Sequence, residues 1–197
     1  FWIPSAQPMG MQTLRAAADS MAWLSEPAHW RDVRQAVVRN LDDRLPGFLG
    51  LLLLLVLASA SRDRLKQRLE RMAPRIGNVQ SDDLALTLEA FAITAALALP
   101  PALVLFGLAY LTHSSTGFAR SLETALMTGG VLILFMEFLL QLVRTKGVAA
   151  VHFDWSLSTL TLLRRNTRRL MLLFVPITIV MVLVSVHAAP EIRDGLG

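Results

Sequence analysis

The chain has 197 residues, 54% of them hydrophobic and only 17% charged, whereas an average soluble domain carries about 25% charged residues. It contains no cysteine, which excludes a disulfide framework and thiolate chemistry. The formal net charge of +4 is too small and too localised to suggest a nucleic-acid partner, and the clumping of apolar residues into long runs points to a membrane.

The chain opens FWIPSAQPMG, without an initiator Met or a positive region before an apolar core. No signal peptide is therefore expected, and the chain reads as an excerpt of a longer one. Residues 1–9, with Pro4 and Pro8, read as an extended lead-in. In residues 10–24, Leu14, Ala17, Met21 and Leu24 recur on one helical face. Ser25-Glu26-Pro27 restarts the chain, and a second amphipathic helix is expected over 29–43 with Trp30, Val33, Val37 and Leu41 on its apolar face. Neither helix is apolar enough to span a bilayer. Residues 1–44 are read as the helical end of an outer, periplasmic region or as interfacial helices.

Four apolar runs follow. LPGFLGLLLLLVLASA, residues 45–60, rises about 24 Å as a helix, short of the ~20 residues a span requires. Residues 84–112 would rise about 43 Å, so tilt or a kink is expected, and Pro100-Pro101 supplies a kink by removing two amide donors. The third run covers 125–143; the fourth, 170–189, contains Pro176, a further candidate kink. Spans are expected near 45–62, 84–112, 122–144 and 169–188. The expected fold class is all-α: about four polytopic transmembrane helices, with amphipathic interfacial helices beside them.

Charge between the runs gives an orientation. Residues 61–83 and 144–169 carry six Lys/Arg each, whereas 113–124 and 190–197 carry one each and 1–44 carry five. The positive-inside rule makes 61–83 and 144–169 cytoplasmic connectors. The four-span module 45–189 then has both ends periplasmic, 190–197 starting an outer connector, and in a bacterium this means the inner membrane. Two parts of the connectors suit the headgroup region. In 150–169 Trp155 and Arg164, Arg165, Arg168 and Arg169 can snorkel towards lipid phosphates. In 61–73 Arg62, Arg64, Lys66 and Arg68 flank a narrow stripe of Leu65, Leu69 and Met72.

Enzyme constellations are thin. His29, His113, His152 and His187 lie in different segments, and no His pair has metal-ligand spacing. His152 and Asp154, two residues apart, point to different helix faces. No catalytic residue, metal site or cofactor is expected. Gly129-Gly130, inside a span, reads as close helix packing, as does the four-residue spacing of Ala90, Thr94 and Ala98. Glu137, seven residues before Arg144, is the candidate intramembrane acid. Gln141 one turn on, a basic connector or water could satisfy it.

Several stretches together carry a resemblance. They are Trp23-Leu24-Ser25, Pro27 and Trp30; then LPGFLGLLLLL, RDRLKQRLERMA and DDLALTLEAFAITAALALPPALVL; and Gly147, Val148, Ala149, His152, Phe153 and Trp155 ahead of RRNTRRL. The sequence resembles, over nearly its whole length, the inner-membrane domain of large mechanosensitive channels of the MscS superfamily, the MscK/MscM type. The resemblance implies heptameric channels with a large periplasmic helical domain, many membrane helices, a Gly/Ala-rich pore helix and a cytoplasmic domain. No stretch of these residues matches the pore helix. The expected function is a lipid-facing sensor module of a tension-gated ion channel in osmotic protection, with membrane lipids, the remaining channel chain and further copies as partners. The alternatives are a fragment of a secondary transporter with Glu137 as a proton or cation site, or a membrane anchor.

Overall fold

The computed structural model describes residues 22–72, 84–144 and 156–187. Arg75, Lys146, His152, Asp154, Trp155 and the expected outer connector 190–197 lie outside the described residues, as does 1–21. The described chain is all-α, a polytopic membrane fold of six helices: α1 (Pro27–Asp43), α2 (Leu45–Ala60), α3 (Arg62–Met72), α4 (Leu84–Leu111), α5 (Gly117–Leu142) and α6 (Leu157–His187).

Among the described residues three helices are long and apolar enough to cross a membrane: Ala85–Leu111 of α4, Gly117–Leu142 of α5 and Ser158–Ser185 of α6. A fourth exists if α1 and α2, bent by 91° at Arg44, count as one broken span. The bend follows from Pro46, which lacks an amide donor in the first turn of α2 and fits that position. It sets α1 across the bundle end while α2 runs down the side of α4.

Contacts along α4 give that direction. Gly47 lies so close to Tyr110 that a Cβ would overlap its hydroxyl, Arg62 reaches Leu97, and Arg68 pairs with Glu89. Helices α2 and α3 thus run antiparallel to α4 in succession. Hydrogen bonding carries helical order across their junction, since Ser61 donates to the Leu57 carbonyl at 2.9 Å and accepts from the Leu65 amide at 2.9 Å.

The central trio is held by small residues. In lipid, apolar contact gains little from excluding water, so helices associate by close packing. A Cβ on Gly129 would meet Ile179 of α6, and one on Gly130 would meet Phe106 of α4. This adjacent pair lets α5 touch a neighbour on each side. Along α4, Ala90, Thr94, Ala98 and Ala102 are fully buried at four-residue spacing, as the sequence pattern suggests. The Thr94 hydroxyl donates to the Ala90 carbonyl at 2.7 Å, so it needs no partner on another helix.

Two helices differ from their sequence reading. The helix of the fourth run begins at Leu157 rather than near 169, and Arg164, Arg165, Arg168 and Arg169 of the expected connector lie inside α6. Arg and Leu are good helix formers, and Leu160, Thr167 and Val175 bury one face, so charge does not end the helix. In α1 the buried residues are Ala36 and Asn40, with Val33 beside them. Trp30 is 51% and Leu41 38% exposed. The helix is rotated because two of its polar side chains bind backbone elsewhere.

Candidate functional site: a membrane face with two polar ends

One end of the bundle carries the turn 112–116 between α4 and α5; α1 closes it. The last carbonyls of α4 lack helical donors. Asn40 Nδ2 donates to two carbonyls there, Leu111 at 2.9 Å and His113 at 2.7 Å. At the start of α5 the cap residue Thr116 makes no side-chain bond. Asp32 substitutes for it from α1, its Oδ2 accepting the Ala119 amide at 3.0 Å, and its charge suits the positive end of the helix dipole. Gly117 sits between them with φ of 79°. A Cβ there would lie 2.6 Å from Asp32 Oδ2, so glycine is required by conformation and by space. His113 Nδ1 donates to Glu123 Oε1 at 2.8 Å.

Residues 23–30 complete this end. The His29 ring stacks on Phe118 at 4.6 Å, and Trp23 meets Phe118 edge-on at 5.6 Å. Trp23 and Leu24 pack on the cluster of Phe118, Ala125 and Leu183. Trp30 Nε1 donates to the Leu24 carbonyl at 2.9 Å, leaving its ring at the surface. Sequence reasoning missed Asp32 and Asn40. Their signal was an eight-residue spacing, two turns apart on one face.

The other end carries α3. Its Leu69, only 2% exposed, and Met72 pack on Ala90, Ile93 and Leu97 of α4. The Leu65–Leu69–Met72 stripe therefore faces protein. Arg68 forms an ion pair with Glu89, and Glu70 accepts from Arg144 at 3.3 Å, so α3 is tied to α4 and to the end of α5 by pairs of opposite polarity. Lys66 binds Asp63 at 2.9 Å, and this hydrogen bond and charge hold the Asp63 carboxyl below its ordinary value. Arg62 Nη2 donates to the Leu97 carbonyl at 3.3 Å. Of the four basic candidates on α3, Arg62, Lys66 and Arg68 have protein partners, and Arg64 is exposed.

Helix α4 continues through Pro100 and Pro101, and α6 through Pro176. Glu137 is half-buried and accepts from the Gln141 amide at 3.3 Å. Among the described residues no group of three His, Asp or Glu side chains could hold a metal ion. The α6 arginines contrast with those of α3. Arg164 is half-buried, Arg165, Arg168 and Arg169 are exposed, and none has an acidic partner among the described residues.

Between the two ends the surface is apolar. Leu49, Leu53, Val56 and Leu57 of α2 and Leu172, Leu173, Phe174 and Ile177 of α6 are exposed. This arrangement presents lengths of apolar helix, ended by fixed charges and capped turns.

Residues 45–197 match the family model described as mechanosensitive ion channel inner membrane domain 1. No curated protein and no solved structure matches the chain.

Proposed function

We infer the function from one premise: the chain belongs to the family of mechanosensitive ion channel inner membrane domains, part of the MscS superfamily. The reading that follows is a lipid-facing module that transmits bilayer tension to a pore formed elsewhere in the channel. The finer expectations go with it: an MscK/MscM-type channel, a homoheptamer, and a role in osmotic protection at a bacterial inner membrane.

The observation that carries this reading is a difference in apolar length side by side. Helix α2 has 16 residues and rises about 24 Å. Beyond it the chain is basic, and Arg62 already stands level with Leu97, halfway along α4. Helix α4 has 28 residues, about 42 Å. Lipid beside α2 therefore meets a shorter apolar wall than lipid beside α4. Tension thins the membrane, and a state that changes this mismatch changes its free energy with tension.

In the proposed orientation the basic end is cytoplasmic and the 112–116 turn periplasmic, which agrees with the charge excess. The 91° bend then lays α1 along the outer face, with Trp30 at headgroup level. Glu137 has a structural role here, satisfied by Gln141 at 3.3 Å. Among the described residues no other side chain forms a hydrogen bond or ion pair with it, so no observation favours the transporter reading.

Patch recording of the full channel tests the proposal, comparing the native chain with the R164Q/R165Q/R168Q/R169Q variant and with a channel lacking residues 1–197. The reading expects an altered gating tension in both. Unaltered gating tension in both, with normal oligomer yield, leaves only a scaffold.

A further inference from the structure

We propose that the first half of α6 forms a seat for the phosphate of an anionic phospholipid, held between Arg165 and Arg168 and flanked by Arg164 and Arg169. The inference rests on the membrane reading above and adds a ligand class to it.

The charge arrangement is incomplete without a ligand. Arg164 and Arg168 are one turn apart on one row of the helix; Arg165 and Arg169 are one turn apart on the next. Like charges at this spacing destabilise a helix. Helix α6 contains no Asp or Glu to offset them. The acids of α5, the helix packed against α6, are engaged elsewhere: Glu123 with His113 and Glu137 with Gln141. The side chains of Arg164, Arg165, Arg168 and Arg169 border one cleft of about 350 Å³ together with Thr161 and Leu172, so their stems share one groove and their guanidinium ends can meet a headgroup at its rim. A guanidinium presents a planar fork of donors that matches phosphate oxygens in pairs.

The flanking residues select an amphiphile over a free anion. Leu162 and Leu163 on one side of the cluster and Leu172, Leu173 and Phe174 on the other are exposed. Inorganic phosphate would neutralise the arginines and leave these side chains bare. A phospholipid covers both. Depth agrees as well. Contacts of Gly129 with Ile179 and of Ala125 with Leu183 set the antiparallel register of α5 and α6. That register brings Arg164–Arg169 level with the last turns of α5, where a headgroup lies if α5 spans the bilayer.

The test is a binding titration on the full channel in detergent, using short-chain phosphatidylglycerol, short-chain phosphatidylcholine and inorganic phosphate as separate probes. Saturable binding of phosphatidylglycerol, absent for phosphatidylcholine and weakened about tenfold or more in the R165Q/R168Q variant, is expected. Circular dichroism of the variant checks that its helices are retained, and a second variant, R34Q/R39Q on α1, should bind as the native protein does. Equal affinity of native and R165Q/R168Q protein for phosphatidylglycerol overturns the seat. Binding of inorganic phosphate that displaces the lipid overturns the lipid assignment. The assay reads binding without gating, so the seat can fail while tension sensing holds, and the reverse.

Discussion

Arg62 donates from Nη2 to the carbonyl of Leu97 at 3.3 Å, the carbonyl that Pro101 leaves without its helical donor. In an uninterrupted helix the amide of residue 101 would bond to that oxygen, but proline has no N–H. An unpaired carbonyl at membrane depth is costly. The cation at the junction of α2 and α3 fills the vacancy and joins the short apolar helix to the middle of the long one.

This predicts an energetic coupling between two residues that do not bond to each other. Arg62→Ala alone should destabilise the full channel in detergent by about 1–3 kcal/mol. In a Pro101→Ala background, where an amide can return to Leu97, the same change should destabilise it by about 1 kcal/mol less. Thermal unfolding of the four proteins gives the cycle, and strictly additive effects would refute the substitution of one donor by the other.

The clamp formed by α1 acts on two helix ends at once. Asp32→Ala removes the cap of α5 and Asn40→Ala the donor to Leu111 and His113. Each should lower stability by about 1–2 kcal/mol, read as a shift in unfolding midpoint. Gly117→Ala should do at least as much, because it strains the backbone and displaces Asp32. A neutral Gly117→Ala would mean that the Asp32–Ala119 bond is not formed in the membrane.

Gly129 and Gly130 face different partners, so their substitutions should separate. Gly130→Val forces apart α5 and α4 at Phe106; Gly129→Val forces apart α5 and α6 at Ile179. Overpacking of this kind costs about 1–3 kcal/mol. Cysteine cross-linking should show loss of the α4–α5 contact in the first variant and of the α5–α6 contact in the second. The same cross-linking pattern in both would contradict the sandwich around α5.

Glu137→Gln should leave ion flux and gating tension unaltered, since a neutral amide can keep the bond to Gln141. Abolished flux with normal assembly would transfer the chain to the transporter reading.

What the sequence made legible was whatever repeats along one helix. Four apolar runs, the glycine pair and the small stripe of α4 were all visible as spacing, and each is found in the packing. What it hid was the identity of partners far along the chain. Nothing in the local pattern singles out Asp32 or Asn40, because the helix ends they cap lie more than 70 residues away. The stripe of Leu65, Leu69 and Met72 was visible, but not that α4 rather than lipid covers it. Hydropathy also placed the boundary of the fourth run at its arginines, although one helix runs from Leu157 to His187, through Pro176.

The central claim is that unequal apolar lengths couple this module to the bilayer, and bilayer thickness tests it most directly. The full channel, reconstituted in membranes of graded acyl-chain length, should change its gating tension steadily with thickness, and a channel lacking residues 22–187 should lose most of that dependence. If native and deleted channels assemble normally and show the same dependence of gating tension on thickness, the mismatch between α2 and α4 plays no part in sensing.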